Sequence, residues 1–452
     1  MKIDSVEIYN FRKLHAAKLE FSQNQTLLVG ANNSGKTSAL VAIRLFLKDR
    51  EGFSPTDITA SNWKAIESIA QSWIDGDEDP KLTALAAQLP YMDTWLHVSE
   101  TELHHVAHLI PSLDWKPGRL GVRIRIEPKS LGDMVKEYSE VRQKALERMN
   151  HYSKTNDGDI GDFSLWPKSY QDFLQRRMSG LFSLNAYLLD PDKPADESPI
   201  QDALSPQILP DSAQALGPNP FSGLFQIREI KAQRGFADAS TNNLGGDDDA
   251  ENKSPTSKRR LSEQLQAYYQ QHINPDKNPT EEDVLALGAF HTAQRTFDER
   301  LQEGFSEAIQ ELESLGYPGF ANPKMSISTR IKPTDGLKHP SAVQYDISGD
   351  ATPLRLPEDY NGLGFQNLIS MVFLLMRFRD DWMQVGKQDS NSNTARHGLI
   401  APLQLVLIEE PEAHLHAQVQ QVFMRRALNV LRHHDALKGN DSPFSTQLIV
   451  ST

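Results

Sequence analysis

The chain has 452 residues, which is enough for two or three domains or for one large interrupted domain. Its net charge is −13, from 47 Lys and Arg against 60 Asp and Glu, so composition gives no argument for nucleic-acid binding, although a local basic groove would suffice. The absence of cysteine excludes disulfides, thiolate zinc sites and cysteine nucleophiles, and it suits a reducing compartment. Residues 1–12 lack a secretory pattern and the longest apolar run, 369–376, is too short for a bilayer, which predicts a soluble cytoplasmic protein.

The N-terminal segment predicts strands that lead into a helix. Residues 2–9 alternate apolar with polar side chains, and 18–21 and 26–29 are further strand candidates. The last of these predicts a buried strand, from Leu27, Leu28 and Val29. The helix that follows has a broad apolar face, formed by Leu40, Val41, Ile43, Leu45, Phe46 and Leu47.

A glycine-containing loop separates that strand from that helix. The spacing from Gly30 to Gly35-Lys36-Thr37 is typical of a loop whose backbone N–H groups and helix N-terminus bind phosphate. Glycine permits close phosphate approach, Lys36 would reach the β- and γ-phosphates, and the Thr37 hydroxyl would ligate Mg²⁺. The alternative is a surface turn before an ordinary helix. The remaining predicted nucleotide contacts in this segment are Asn32, Asn33, Ser34 and Ser38.

The middle of the chain is predicted to be largely helical. Residues 122–126 alternate as a strand with one basic face, and 130–149 predict a helix with an apolar stripe. Residues 190–220 are rich in Pro, Asp and Ser and predict a long loop, whereas 237–262 is the best candidate for disorder. Residues 281–315 predict one or two amphipathic helices.

Two weaker signals lie in the same part of the chain. His104 and His108 have the i, i+4 spacing of a helical zinc site, but no glutamate completes the pattern, and we favour ordinary histidines. Arg228, Lys231 and Arg234 form the most plausible basic stretch in an acidic chain; a solvated face is the default interpretation, and contact with DNA or phosphate is the alternative.

The C-terminal part predicts the second half of a nucleotide site. Strand candidates at 325–331 and 342–347 precede an apolar helix at 368–378, and 405–408 is a fully apolar run that predicts a buried strand. That run ends in Glu409 and Glu410. Carboxylates at such an edge suit Mg²⁺ and a water-activating base, so we assign Glu409 to the metal and Glu410 to general-base catalysis.

The alternative for this acidic pair is a helix N-terminus favoured by the dipole. Because the phosphate loop lies more than 350 residues upstream, the two halves predict adjacent strands of one sheet that is assembled from both chain ends, with the middle inserted.

Four motifs together resemble a known class of ATPases. They are Asn10-Phe11-Arg12, the phosphate loop, and residues 361–366 and 408–416. They are similar to the ABC-type ATPase head of the SMC/RecF class, and within it to the ATPase portion of the OLD (overcoming lysogenization defect) ATP-dependent endonucleases. The resemblance implies an α/β, ABC-type P-loop ATPase head with a largely helical insertion. It also implies that ATP is sandwiched between two heads of a homodimer or larger homo-oligomer.

The resemblance assigns further residues to the nucleotide. Gly362 and Gly364 would reach the γ-phosphate of the opposing subunit, although a plain helix cap is the alternative. Arg12 matches a position that approaches the nucleotide in this class. The alternative is that it is an ordinary solvated charge. His416 stands where typical heads have an aspartate. His414 and His416 would contact the nucleotide or the partner subunit. The alternative is a structural role in packing the loop.

The resemblance also implies a domain plan. Residues 1–128 would be the N-terminal lobe of the head, 129–320 an inserted region for dimerisation or partner contact, and 321–452 the C-terminal lobe. Residues 447–452 look like the strand that precedes a switch histidine in this class. The position of that histidine would be one residue after Thr452. Nucleases of this family carry a C-terminal TOPRIM domain that binds the catalytic metals, and this sequence contains none, so we expect a fragment or a separately encoded ATPase.

The predicted function is therefore a cytoplasmic, ATP- and Mg²⁺-dependent ATPase of an OLD-like anti-phage nuclease. Its DNA would be cut by a TOPRIM domain or partner outside this sequence, and the chain alone would not cleave DNA. One alternative is an ATP-dependent dimerising switch or scaffold for a separate effector. Another is a RecF-like DNA repair ATPase without a nuclease.

Overall fold

A computed structural model describes most of the chain and divides it into two compact units. The first consists of Met1–Ala232, Leu399–Pro411 and Arg432–Thr452, and the second of Gln233–Gly398 and Glu412–Leu431. The described residues are 1–49, 52–75, 82–112, 114–155, 165–192, 196–197, 204–210, 213–217, 219–232, 261–273, 280–314, 344–346, 355–357, 363–385, 400–413, 415–437 and 442–452.

The strands and helices of the described residues are as follows. The strands are β1 (Lys2–Phe11), β2 (Leu14–Glu20), β3 (Gln25–Leu28), β4 (Tyr91–His97), β5 (Arg119–Pro128), β6 (Phe182–Leu189), β7 (Asp196–Glu197), β8 (Leu204–Ser205), β9 (Phe225–Ile230), β10 (Gln344–Asp346), β11 (Arg355–Pro357), β12 (Leu403–Glu409) and β13 (Ser445–Ser451). The helices are α1 (Lys36–Leu47), α2 (Trp63–Ile74), α3 (Leu82–Ala86), α4 (Leu103–Val106), α5 (Leu131–Thr155), α6 (Tyr170–Leu181), α7 (Leu261–Tyr268), α8 (Glu281–Ser314), α9 (Leu363–Trp382) and α10 (Ala417–Leu431).

An antiparallel sheet of order β2-β1-β4-β5-β6 forms one layer of the first unit. Burial alternates over most of β6, whereas β4 and β5 are buried at nearly every position, so these inner strands are covered on both faces. The predicted strand at 122–126 lies within β5, and its basic face is paired rather than open. Arg123 is 5% exposed and donates from Nε and one terminal nitrogen to the two carboxylate oxygens of Asp93, both at 2.7 Å.

A parallel sheet of order β3-β13-β12-β9 forms a second layer of the same unit. Every residue of β12 is buried, which confirms the buried strand predicted at 405–408. The sheet joins strands from both ends of the chain, as predicted. The expectation that the phosphate-loop strand and the acidic strand are adjacent is wrong, because β13 lies between them.

The prediction of a buried strand at residues 27–29 is also wrong. Leu27 is 53% exposed and Val29 is 76% exposed. The physical reason is that β3 is at the edge of the sheet: among the described strands it pairs with β13 alone, so its other side has no neighbouring strand. Hydrophobic residues alone do not distinguish an edge strand from a central one.

A continuous core fills the first unit. It includes Val6 and Ile8 of the antiparallel sheet, Ile43 and Phe46 of α1, and Leu407 of the parallel sheet. The predicted helix at 130–149 is α5, whose stripe packs beside α2 and α6 through Met134, Tyr138 and Ala145.

The second unit is mainly helical. Helix α9 packs against α7 and α10, and it extends the predicted helix at 368–378 in both directions. The region predicted at 281–315 is one helix, α8, and the strand predicted at 342–347 is β10, which pairs with β11. The predictions for 237–260 and 325–331 lie outside the described residues. None of the described helices is both long and apolar enough to span a bilayer.

Candidate nucleotide-binding site

The carboxyl ends of the parallel strands bring the two halves of the predicted site to one edge. Ser451 at the end of β13 is in register with Leu28 on one side and Glu409 on the other. Thr452 N–H donates to the Leu28 carbonyl at 3.0 Å, and Glu410 N–H donates to the Ser451 carbonyl at 2.8 Å. Because neighbouring strands lie about 4.8 Å apart, the backbone that enters the phosphate loop and the acidic backbone are about 10 Å apart.

The phosphate loop exposes the start of α1. Gly35 precedes the helix with φ +102°, and no side chain caps it. Unpaired N–H groups at a helix start attract anions. A Cβ on Gly35 would lie 2.8 Å from Leu14 Cδ2, and one on Gly30 would lie 2.8 Å from Ser34 Oγ. Glycine is favoured at Gly35 by its positive φ, whereas the side chains that a Cβ would meet at both positions are flexible ends. The side chains exposed along the loop include Asn32, Asn33 and Ser34.

Two side chains of the first helical turn have the predicted positions. Lys36 folds back over the loop, where Nζ donates to the carbonyls of Gly30 at 2.6 Å and Ala31 at 3.0 Å. Thr37 is exposed and Ser38 is half-buried. The ammonium group therefore lies at the concave side of the loop, next to the glycine positions where phosphate would approach.

The acidic end of β12 carries excess negative charge. Glu409 is 7% exposed, and burial raises the pKa of its carboxyl, with Glu229 and Glu410 adding to the increase. The Ala232 N–H, which donates at 3.5 Å, and the charge of Lys231 act in the opposite direction. The predicted basic residue Lys231 thus lies beside the acidic edge, at the end of β9.

Glu410 has an unusual backbone conformation. Its φ is +39°, which is rare for a residue with a Cβ, and its N–H bond to Ser451 holds it there. Such conformations cost energy and cluster at functional sites.

Arg12 lies in the turn between β1 and β2. Leu14 of the same turn approaches Gly35, so the turn lies against the phosphate loop. The Nε of Arg12 donates to Asp57 Oδ1 at 2.8 Å. Sequence analysis missed Asp57, although the spacing from Ser54 to Asp57 is that of a capping box.

The residues assigned by resemblance to the opposing subunit belong to the second unit. Gly364 is half-buried in the first turn of α9, whereas Gly362 and His414 lie outside the described residues. His416 is exposed immediately before α10, and its Nδ1 accepts from Gln418 N–H at 3.4 Å, which is a capping contact.

Other predicted residues have structural contacts. His108 bonds the Pro220 carbonyl through Nε2 at 2.7 Å, and the His104 ring lies against His105. Arg228 is in β9, and Arg234 lies outside the described residues.

The donors at the sheet edge suit a magnesium ion bound together with phosphate. In the described part of the chain, no three or more His, Asp and Glu side chains converge as a metal site. Thr37 and Glu409 instead offer a hydroxyl and a carboxylate at the same edge of one sheet. Oxygen donors of this kind, with phosphate oxygens and water, are those that Mg²⁺ prefers.

Comparison with known proteins shows that the chain belongs to the AAA ATPase domain family. The family model for the AAA ATPase domain matches residues 1–179 and 223–452. The chain is 20% identical over 475 aligned positions to Endonuclease GajA of Bacillus cereus, covering all of this chain and 57% of that protein. It is also 42% identical over 52 residues to the uncharacterized protein MJECL10 of Methanocaldococcus jannaschii, covering 12% of this chain and 24% of that protein.

Among solved structures, the SMC head domain from Thermotoga maritima aligns over the whole of this chain and 90% of its own. The TM-score is 0.33 and the identity is 10%, a likeness too low to support a conclusion. The family match and the endonuclease relative confirm the resemblance to an ATPase of the OLD class. The chain spans little more than half the length of that relative.

Proposed function

Because the chain belongs to the AAA ATPase domain family, we propose that it binds ATP at the carboxyl edge of its parallel sheet and hydrolyses it to ADP and phosphate. The observation that carries this proposal is the meeting of Lys36 and Thr37 with Glu409 and Glu410 at one edge, from sequence positions more than 370 residues apart.

Each residue has a distinct part in the proposed reaction. The loop N–H groups and Lys36 bind the β- and γ-phosphates, and Thr37 and Glu409 hold Mg²⁺, which supplies neutralisation of phosphate charge. Glu410 accepts a hydrogen bond from the attacking water and orients it. The water attacks the γ-phosphorus in line, and the bond from that phosphorus to the β–γ bridging oxygen breaks.

We further propose that two copies of the chain enclose the nucleotide. Gly362, together with Gly364 in the first turn of α9, would contact the γ-phosphate bound by the opposing copy, and His416 would lie at the same interface. The support is the family resemblance and the glycine at a helix start, where N–H groups attract phosphate. In this plan residues 1–128 and 321–452 are the two lobes of the head, and 129–320 serves dimerisation or partner contact.

The similarity to an endonuclease supports a wider role. We propose that the chain is the ATPase head of a cytoplasmic, OLD-like anti-phage endonuclease. A TOPRIM domain or partner protein outside this sequence would cut DNA. Plasmid cleavage by the purified chain with Mg²⁺ or Mn²⁺ would contradict this division of labour.

The ATPase proposal is tested with Glu410→Gln and Lys36→Ala, and Glu20→Gln as an exposed control in β2. Glu410→Gln should lower kcat by about 100-fold or more while ATP still binds, because a positioned base contributes that much. Lys36→Ala should lose ATP binding, and the control should match wild type.

The outcome also separates the alternatives. If wild type and Glu410→Gln show the same background ATP loss while ATP drives dimerisation, the chain is a switch or scaffold. If the wild-type chain does not bind ATP, the proposal is overturned.

A further inference from the structure

We propose that Asp57 positions the guanidinium group of Arg12 for contact with the bound ATP. This inference rests on the proposed function, because it concerns a residue of the same site. Asp57 would touch neither phosphate nor the reacting atoms, and it would act through Arg12.

The turn that carries Arg12 is adjacent to the phosphate loop. Leu14 Cδ2 fills the space that a Cβ on Gly35 would need, at 2.8 Å. Two residues before Leu14, Arg12 has φ +50°, and Asn10 has φ +54°. Asparagine adopts this region readily, whereas for a long side chain such as Arg12 it is uncommon. The backbone at Arg12 therefore has an uncommon conformation beside the predicted phosphate site.

A second chain segment imposes that conformation. Arg12 N–H donates to the Asp57 carbonyl at 2.8 Å, and Thr59 N–H donates to the Asn10 carbonyl at 3.1 Å. Phe11 forms a bridge with Ile58 between these two bonds. The residues around Asp57 thus run antiparallel to the turn and hold its backbone on both sides of Phe11.

The carboxylate of Asp57 is held in place by Ser54 through one oxygen and bonds Arg12 through the other. Its Oδ2 accepts from Ser54 N–H at 2.9 Å and from Ser54 Oγ at 3.1 Å, as in a capping box. Its Oδ1 accepts from Arg12 Nε at 2.8 Å. The Asp57 side chain is 3% exposed, so its position is set by the protein and not by solvent.

The geometry leaves the end of the guanidinium group available. Arginine has five N–H donors, and Asp57 takes the one at Nε. The Arg12 side chain is 36% exposed, although its acidic partner is buried. Within the part of the chain that the structure describes, no acceptor bonds the two terminal nitrogens. A guanidinium group that is held through Nε and keeps its terminal N–H groups available can donate hydrogen bonds to phosphate oxygens.

The test compares Arg12→Ala, Asp57→Asn and the double variant by equilibrium binding of a fluorescent ATP analogue and by steady-state ATP hydrolysis. Asp57→Asn keeps a side chain of the same shape for Ser54, and a melting curve checks folding. Asp49→Asn is the matched control. It removes the carboxylate that accepts from Arg44 at 2.8 Å, in the same unit but after the other end of α1.

Arg12→Ala should raise Kd and KM for ATP by about tenfold, the value of a hydrogen bond to a charged group. Asp57→Asn should raise them by about fivefold with kcat within about twofold of wild type, since the charge-assisted bond that orients the fork is weakened. In the Arg12→Ala background, Asp57→Asn should change KM by less than about twofold, because the guanidinium group through which Asp57 acts is absent. Asp49→Asn should leave KM unchanged.

Two results would overturn the inference while the proposed function stands. One is an unchanged KM in Arg12→Ala while Lys36→Ala abolishes binding. The other is a double variant in which KM rises by the product of the two single effects, because Asp57 would then act independently of Arg12. A wild-type chain that does not bind the analogue would overturn both the inference and the proposed function.

Discussion

The two sheets of the first unit place their charged residues differently. In the antiparallel sheet, charged side chains lie inside the layer, where Asp93 and Arg123 form a doubly bonded pair and the pKa of the neighbouring Glu7 carboxyl is raised. In the parallel sheet, Glu409 and Glu410 lie at one edge, and burial, with Glu229 and Glu410 adding to it, raises the pKa of Glu409 there. The comparison suggests that the antiparallel sheet provides stability and the edge of the parallel sheet provides chemistry.

The origin of the strands differs in the same way. All strands of the antiparallel sheet come from residues 2–189, whereas the parallel sheet pairs residues as distant as Gln25 and Leu448. A buried, doubly bonded pair such as Asp93 and Arg123 favours one register of a locally assembled sheet. Several carboxylates gathered at one edge repel one another, and a bound cation would relieve that cost.

The largest expected effect is on the antiparallel sheet. Asp93→Ala leaves the Arg123 guanidinium buried without its carboxylate, so the unfolding free energy should fall by about 3–5 kcal/mol. Chemical denaturation measures it. Glu137→Ala, which removes the partner of Arg177 at an exposed site, should have a much smaller effect, because solvent screens exposed pairs. Equal losses in the two variants would contradict the assignment of stability to the buried pair.

A middle-sized effect is expected at the phosphate loop. Gly35→Ala places a Cβ at φ +102° and 2.8 Å from Leu14, so the unfolding free energy should fall by about 1–3 kcal/mol. ATP affinity should fall by more than about tenfold, because the helix start must shift. Thermal denaturation and equilibrium binding measure the two effects.

The control for Gly35→Ala is Gly132→Ala in α5, where nothing lies within 4 Å of the added Cβ. Alanine favours a helix, so this variant should be as stable as wild type or more stable, with unchanged ATP binding. A Gly35→Ala protein with normal ATP affinity would contradict the proposed site.

The smallest effect is expected for the pH dependence of stability. Burial, and then Asp93 opposite it, raises the pKa of Glu7 above its unfolded value of about 4.3. The folded chain then binds more protons than the unfolded chain between these two pKa values, so stability falls as pH rises through that interval. Glu7→Gln should reduce this fall and be more stable than wild type at pH 7, as measured by urea midpoints.

Glu20→Gln on β2 is the control for Glu7→Gln, because its carboxylate is 75% exposed. Its midpoints should follow those of wild type at every pH. An unchanged pH profile in Glu7→Gln would show that this buried carboxylate does not differ between the folded and unfolded chains.

Much of the fold was predictable because local pattern and burial agree. Strands such as β12 and helices such as α8 and α9 follow from uninterrupted or periodic apolar residues. Strand order was not predictable in the same way. The position of β13 between β3 and β12 depends on how the sheet is assembled, and so does the exposure of Leu27 at its edge.

The site was predictable where chemistry demands particular residues at fixed spacing. Glycine, lysine and threonine in the phosphate loop, and two carboxylates after a buried strand, carry such a signal. Asp57 does not, because its role depends on hydrogen bonds to Arg12, 45 residues away in sequence. Gln447 is similar: its amide bonds Ile3 N–H and carbonyl at 2.9 Å and the Ser22 carbonyl at 3.0 Å, across more than 400 residues.

The pairing of β3 with β13 has a consequence for synthesis of the protein. The phosphate loop leaves the ribosome early in synthesis. The antiparallel sheet can form once residue 189 has emerged, because all of its strands lie within residues 2–189. The strand that supports the loop is made some 420 residues after β3. The antiparallel sheet of a nascent chain can therefore form long before β13 is made, whereas the edge proposed to bind nucleotide is complete only after β13 has paired with β3.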